Sequence, residues 1–346
     1  MRKLVTIEKI LDIQPILDAD VIEKAKVRGW WVVVKKGEFK IGDTCIYHEI
    51  DSFLPVNPTY DFLTKGNSPR KMLIDGKEIT GIKLKTVKLR GQVSQGLILP
   101  VPENLVDLPL DTDVSEILGI IKYELPIPPE LTEIIRGGFP GFLRKTDEER
   151  IQNCLEILEN FKGEKFYVSS KLDGTSTTFY KKDSVLNVCS RNLELVLSEE
   201  NKNTYWNLAF EMNIFDKLPN GFAIQGELVG EGIQKNPLKI KGHKFFIFNV
   251  FDINEQKFLD FQDFREFVLS RGWNTVPIIN DNFILNHTLE EILLLAQNKS
   301  PLNPQVDQEG IVVRPLKEMT IEMAGQTSSR FSFKVISNKY LLKHDE

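Results

Sequence analysis

The sequence predicts an α+β protein in two parts, with a small β-barrel or sandwich over residues 1–122 and a mixed α/β domain over residues 144–346. A linker at 123–143 joins them. Three observations carry this reading. Short apolar runs with glycine or proline punctuation fill the first part. Proline and glycine cluster between Leu125 and Gly141, where regular elements are disfavoured. Beyond them, apolar strands alternate with amphipathic helical segments. A chain of 346 residues is long enough for about two domains at roughly 150 residues each.

In the first part, Val27–Val34 and Cys45–Ile50 are apolar runs separated by the turn signals Lys35-Lys36-Gly37 and Ile41-Gly42-Asp43. Asp12 to Lys24 is expected to hold a short helix. Ile79–Leu89 and Gly96–Leu99 read as further strands, and Arg90 to Gly96 as a polar loop. Alternation in Ile82-Lys83-Leu84-Lys85 puts both lysines on one strand face. OB barrels carry such lysine-bearing strands and loops, although the pattern suits other small barrels too.

The linker takes in Leu125-Pro126-Ile127-Pro128-Pro129-Glu130 and Arg136-Gly137-Gly138-Phe139-Pro140-Gly141. Thr146 with Glu149 three residues on is a capping-box pattern. It predicts a helix over 147–160 that buries Ile151, Leu155 and Leu158. Next comes Lys171-Leu172-Asp173-Gly174, between Phe166-Tyr167-Val168 and the β-branched run that ends at Phe179-Tyr180. This reads as strand, tight turn, strand, with a lysine at the turn. Val185–Cys189, Phe222–Val229, Phe245–Ile253, Ile311–Arg314 and Ser332–Val335 are expected strands. Asn203–Met212, Phe261–Ser270 and Leu289–Gln297 are expected helices.

Composition narrows the function classes. The chain is 41% apolar and 27% charged, with no apolar run of membrane-spanning length and no signal-peptide pattern at its start. Three cysteines, Cys45, Cys154 and Cys189, form neither a disulfide framework nor a zinc pattern, which points to a reducing, cytoplasmic setting. Net charge is −5, yet between Lys65 and Arg90 eight basic residues stand against two acidic ones. Such a region suits a phosphate backbone, and Lys83, Lys85, Lys88 and Arg90 are its candidate nucleic-acid contacts; a solvated strand face would give the same pattern. The sequence has no P-loop, and Gly230-Glu231-Gly232 lacks the third glycine of a dinucleotide fingerprint.

Charged residues interrupt several strands that otherwise look buried. Glu227 breaks Ala223–Val229, Glu309 precedes Gly310-Ile311-Val312-Val313, and Lys334 follows Phe331-Ser332-Phe333. Each alone reads as a solvent-facing residue. Together with Lys171 and Asp173 they form a candidate site, because buried charge is costly unless paired or metal-bound.

These segments resemble, in order, the motifs of the covalent nucleotidyltransferases, the superfamily of DNA ligases, RNA ligases and capping enzymes. Lys171-Leu172-Asp173-Gly174 is similar to motif I and Ser190-Arg191-Asn192 to motif Ia. Gly226-Glu227-Leu228, continuing to Gln234-Lys235-Asn236-Pro237, is similar to motif III. Phe248-Asn249-Val250-Phe251-Asp252-Ile253 resembles motif IIIa, Glu309-Gly310-Ile311-Val312 motif IV, and Phe331-Ser332-Phe333-Lys334 motif V. The pattern best resembles ATP-dependent RNA ligases of the RNA ligase 2 type, in the subfamily where an OB domain precedes the transferase domain. Two positions depart from it. Motif V usually carries a second lysine, but Ser332 and Ile336 flank Lys334 at that spacing, leaving Arg330 or Lys339 as substitutes. Ser176 stands where many relatives have asparagine.

The resemblance implies an ATP-grasp-like transferase domain of antiparallel sheets and helices. It implies that Lys171 attacks ATP and carries AMP to a 5′-phosphate, which a 3′-OH then attacks. Arg150, Arg191, Glu227, Phe251 and Lys334 would bind ATP, with Phe251 stacked on the adenine. Asp173, Glu227 and Glu309 would hold Mg²⁺ or Mn²⁺ through its waters, or Glu227 would contact the ribose with Arg191. Nearby Lys334, Arg150 or the metal would lower the pKa of Lys171. The implied substrate is RNA with 3′-OH and 5′-phosphate ends, in a nicked duplex, and the implied enzyme is a monomer engaged in RNA repair. DNA nick sealing, GTP-dependent capping, or RNA binding on a non-catalytic scaffold are the alternatives.

Overall fold

The structure is a computed structural model that describes residues 3–65, 67–74, 77–124, 127, 132–197, 203–323 and 326–344. Most of the proline-rich part of the expected linker, and Asp75 of the basic region, lie outside the described residues. The chain divides into two compact units, Met1–Pro126 with Leu341–Glu346, and Ile127–Tyr340. Strands dominate both and helices are short, as the α+β expectation requires.

The first unit is built from short antiparallel strands. Val5–Lys9, Thr44–His48 and Leu97–Pro100 form one sheet with Thr44–His48 at its centre. Asp12–Pro15, Ile22–Val27 and Trp30–Lys35 form a second. Ile121–Lys122, Ser52–Pro55, Lys77–Lys83 and Arg70–Ile74 form a third. The helix expected over Asp12–Lys24 is therefore absent: those residues enter two paired strands around a loop in which Asp18 has positive φ. Ala25, Val27, Trp30, Val32 and Val34 are buried together with Tyr47 and Ile98, so their alternation is the stronger signal. The loop expected over Arg90–Gly96 is instead the turn and second strand of a hairpin. Thr86–Leu89 pairs with Gln92–Gln95 across Arg90-Gly91, both with positive φ, as a two-residue primed turn requires.

Two large sheets organise the second unit, beside the two-stranded pairs Lys299–Ser300 with Asn303–Asp307 and Thr320–Met323 with Gln326–Arg330. The larger has seven strands in the spatial order Ile135–Gly138, Leu193–Leu195, Val185–Cys189, Thr175–Lys182, Phe222–Gly230, His243–Asp252 and Lys257–Phe258. The smaller has five: Glu149–Arg150, Phe333–Ile336, Gly310–Pro315, Lys165–Lys171 and Ile278–Ile284. Helices Thr204–Glu211 and Phe261–Leu269 bury Trp206, Leu208, Phe261 and Phe264 in a core with Phe179, Ile224 and Ile247 of the larger sheet. The smaller sheet packs Phe166, Ile311, Val313 and Phe333 with Ile157, Leu289 and Ile292.

The helices at Thr204–Glu211, Phe261–Leu269 and Leu289–Leu295 match expectation, and two have strong start signals. Asn203 Oδ1 accepts the N–H groups of Tyr205 and Trp206 at 3.0 and 3.1 Å. Thr288 and Glu291 form a reciprocal capping box. The same pattern fails at Thr146. Glu149–Arg150 is a strand parallel to Phe333–Lys334, a 3₁₀ turn covers Ile151–Asn153, and the helix is only Glu156–Asn160. Thr146 Oγ1 lies 2.9 Å from Ser176 Oγ, so tertiary contact takes the hydroxyl a cap would need. Arg136-Gly137-Gly138 likewise enters an edge strand, with a register irregularity, where a loop was expected.

Candidate active site

The chain crosses between the two sheets at Lys171–Gly174. Lys165–Lys171 belongs to the smaller sheet and Thr175–Lys182 to the larger, so the expected hairpin is a corner between sheets. Gly174 is required there: a Cβ would lie 2.3 Å from the Leu228 carbonyl oxygen. Main-chain pairing brings the other charged residues to this corner. Lys171 lies opposite Gly310, beside Glu309; Ser176 lies opposite Glu227; and Val312 lies opposite Lys334. Parallel pairing places Arg150 opposite Lys334.

Lys171 Nζ is 2.7 Å from Glu309 Oε1. Burial works against the ammonium, but Glu309, Glu227 and Asp173 outweigh it and raise the lysine above its ordinary value. The expectation of a lowered pKa is therefore not met: three carboxyl groups crowd the amine and favour its charged form. The same crowding acts on the acids. Burial, partly opposed by Lys171 and reinforced by Glu309 and Asp173, pushes Glu227 up to about 8. Burial raises Glu309, with Lys171 opposing and Asp173 adding, and it raises Asp173 against its contacts with Tyr340 and Lys171. Glu227 Oε1 also accepts the Gly174 N–H at 3.1 Å.

Among the described residues, no three acidic, histidine or cysteine side chains stand close enough to ligate a metal directly. Glu309 Oε2 is buried and accepts no hydrogen bond from described residues. A cation with its waters fits this site better than a bare one: it would complete Glu309 and relieve the crowded acids, and hydrated Mg²⁺ reaches carboxylates through water.

Several residues that the sequence reading did not single out hold these strands and the site. Tyr340 donates to Asp173 Oδ2 at 2.6 Å. Main-chain and hydroxyl contacts of Ser337 reinforce this: its N–H donates to the Glu309 carbonyl at 2.8 Å, and its Oγ accepts the Tyr340 N–H at 3.3 Å. Arg314 is buried, 2.5 Å from Glu148, and donates to Ser332 Oγ and the Phe248 carbonyl at 3.1 Å each. Burial alone would raise the Glu148 carboxyl, but Arg314 and Arg330 hold it below the ordinary range. Arg314 carried the signal that singled out Lys334, a charge ending an apolar strand, and could have been found by it.

Other expected contacts fall elsewhere. Phe251 is 1% exposed, packed with Leu143, Tyr180 and Ala223 and edge-on to Phe258 at 5.0 Å. It has no face for adenine. Phe248 on the same strand is half-buried beside the cluster of Leu172, Val229 and Phe246. Gln225 opposes Asn249 while Gly226 opposes Ile247, so Phe248 is the extra residue of a β-bulge. Arg191 pairs with Asp147 at 2.7 Å, both well exposed. Neither substitute for the second motif V lysine is uncommitted: Arg330 pairs with Glu318 and lies 3.8 Å over the Phe258 ring, while Lys339 pairs with Asp307 at 3.0 Å. In the first unit Lys83 is buried with its ammonium 5.5 Å over Tyr123, and the strand ends there, so Lys83 and Lys85 do not share an exposed strand face. Lys88 and Arg90 are exposed on the hairpin.

Comparison with known proteins agrees with this architecture. Residues 4–101 match a family model described as an OB-fold domain, and residues 164–336 match one described as RNA ligase. A comparison with curated proteins finds no match. The solved structure of Naegleria gruberi RNA ligase with PPi is 41% identical, with a TM-score of 0.86 over 100% of this chain and 99% of that one. Mutants of the same ligase with ATP and Mn, and with AMP and Mn, are each 40% identical, with TM-scores of 0.87 over 99% of both chains. The first unit is thus an OB-fold domain preceding a nucleotidyltransferase domain, and the chain belongs to the RNA ligase family.

Proposed function

We propose that this RNA ligase uses ATP and a divalent cation to join a 3′-OH to a 5′-phosphate, with Lys171 as the covalent AMP acceptor. One observation carries the reading: Lys171 Nζ lies 2.7 Å from Glu309 at a corner it shares with Asp173 and Glu227. The related Naegleria ligase, described with ATP and Mn and with AMP and Mn, supports the choice of nucleotide and metal.

In this reading the Lys171 ammonium passes a proton to Glu309 Oε1, whose raised pKa narrows the gap between them. The free amine attacks the α-phosphorus of ATP, a P–N bond forms, the bond to the β-phosphate oxygen breaks, and pyrophosphate leaves. An oxygen of the RNA 5′-phosphate then attacks the AMP phosphorus, the P–N bond breaks, and the proton on Glu309 returns to the departing Lys171 nitrogen. Finally the 3′-OH oxygen attacks the 5′-phosphorus, the bond to AMP breaks, and the hydroxyl proton leaves with AMP or to solvent as the phosphodiester forms. Lys334 and Arg150, adjacent by strand pairing, are the cations for phosphate. Phe248, in place of Phe251, offers a ring to adenine. When bound, a hydrated Mg²⁺ or Mn²⁺ at Asp173, Glu227 and Glu309 supplies positive charge that weakens the carboxylates' hold on the Lys171 ammonium.

Residues 144–346 carry this chemistry and residues 1–122 contact nucleic acid, on a monomer acting on nicked duplex RNA. Free, buried Cys45, Cys154 and Cys189 suit a reducing, cytoplasmic setting. Among the described residues no helix is long and apolar enough to cross a membrane. Incubation with α-labelled ATP or GTP and Mg²⁺ tests the reading. Covalent label from ATP on the wild type, lost in Lys171→Ala, is expected. Absent label, or label retained by the variant, overturns it, and label from GTP alone points to capping.

A further inference from the structure

We infer that Trp31, with Lys24 and Lys26, forms a binding platform on the OB-fold domain for an unpaired RNA segment that adjoins the duplex being sealed; this rests on the RNA-joining role above. Alternation in Trp30–Lys35 buries Trp30, Val32 and Val34 and turns Trp31 and Val33 to the opposite face. Strand pairing sets Lys26 opposite Trp31 and Lys24 opposite Val33, so both lysines share the Trp31 face. The Lys24 and Lys26 ammoniums lie 4.5 and 5.6 Å from the indole centroid.

The face continues toward the basic hairpin. The Val33 N–H donates to Ser94 Oγ at 2.9 Å, and Ser94 lies on the strand paired with Thr86–Leu89. That hairpin carries exposed Lys88 and Arg90. Asp12 opposes Lys26, but its carboxylate accepts the Ile13 N–H at 2.8 Å and the Gln14 amide at 2.7 Å. Glu23 lies out of phase with Lys24 and Lys26 on their strand and accepts the Gly37 N–H. In a chain of net charge −5, this concentration of cations around an indole is complementary to a polyanion.

Aromatic rings interleaved with cations along a groove are how proteins hold single strands without reading sequence. Magnitudes favour the ring as a base-stacking surface. With Lys24, Lys26 and Trp31 each half-buried, their cation–π contacts are worth about 0.5–2 kcal/mol, and stacking one base on an aromatic ring about 1–3 kcal/mol. An incoming base therefore displaces the Lys24 ammonium from the ring, and the ammonium moves to the adjoining phosphate.

The test is binding of a fluorescein-labelled single-stranded oligoribonucleotide to the full chain, with melting curves and Lys171 labelling as controls. Trp31→Ala is expected to weaken binding roughly 5- to 100-fold, while Trp31→Phe keeps most of the affinity. Lys24→Ala/Lys26→Ala is expected to lower the slope of log K against log salt by about 1.4, at roughly 0.7 per phosphate contact on a single strand. Unchanged affinity in Trp31→Ala, or an unchanged salt slope in the double variant, overturns the inference. Wild type that binds RNA but takes no label from ATP refutes the transferase reading and leaves the platform standing.

Discussion

Asp173 is ordered by a hydroxyl far away in sequence. The Tyr340 contact at 2.6 Å holds one carboxylate oxygen, and Ser337 holds the Glu309 main chain from the same turn. A hydrogen bond to a charged group contributes about 1.5–3 kcal/mol. Tyr340→Phe is therefore expected to slow single-turnover adenylylation of Lys171 roughly 10- to 100-fold and to lower the melting temperature of the transferase unit by roughly 3–12 °C. In an Asp173→Ala background the same substitution should cost nothing further, because the two act as a unit. An additive loss in the double variant would assign Tyr340 a separate role. Phe248 and Phe251 teach a related lesson. Both sit in the same apolar run, and only the bulge and the packing of Leu143 and Phe258 decide which ring is fully enclosed and which is half-buried.

At the scale of elements, the site depends on main-chain register. Gly310 lies against Val335, and a Cβ there would approach its carbonyl oxygen to 2.1 Å and Ile336 Cα to 3.0 Å. No flexible side chain can yield, so Gly310→Ala must push apart the strands that carry Glu309 and Lys334. The expected cost is about 1–3 kcal/mol, or roughly 2–12 °C in Tm for the transferase unit, together with loss of Lys171 labelling. An unshifted melt with normal labelling would show that this register does not matter. The segment before Lys171 shows register overriding local preference. Thr146 and Glu149 have the spacing of a capping box, yet Glu149–Arg150 pairs with Phe333–Lys334 and Glu148 meets Arg314. A buried ion pair lost on one side costs about 3–5 kcal/mol, more than the roughly 1 kcal/mol of a helix cap.

Across the molecule, each unit has its own titrating groups. In the OB-fold domain His48 is fully buried, with Nε2 3.0 Å from Tyr60 Oη and Nδ1 3.3 Å from the Leu97 carbonyl, and burial lowers it to about 4. A depressed histidine favours folding only while neutral. Its contribution is complete above the unfolded value of 6.5 and is lost as pH falls through about 4, amounting to ~3 kcal/mol at most. Crowded Asp173, Glu227 and Glu309, raised in the fold, act with the opposite sign, so the wild type must be compared with a His48 variant. His48→Gln is expected to flatten the fall in OB-fold stability between neutral pH and about pH 5, measured by thermal melts of the full chain. Parallel pH dependence in both proteins would refute the assignment.

Local chemistry determined much of this protein without a structure. A lysine beside an Asp-Gly corner and acids set into apolar strands follow from residue type and spacing, and so do most strands and the helices capped by Asn203 and Thr288. These features depend on neighbours a few residues away, which any reader of the chain can see. Only the tertiary structure decided that Lys171 lies at a corner between two sheets, that its amine pairs with Glu309 beside Asp173 and Glu227, and that Tyr340 holds Asp173. It also took Phe251 and Lys83 out of the expected contact sets by burying them. Such outcomes depend on pairing between strands well separated in the chain, such as Lys171 with Gly310 and Ser176 with Glu227, and a one-residue change in that pairing reverses which side chains meet. Lys171-Leu172-Asp173-Gly174 reads the same under either arrangement, and the fold alone selects the partners.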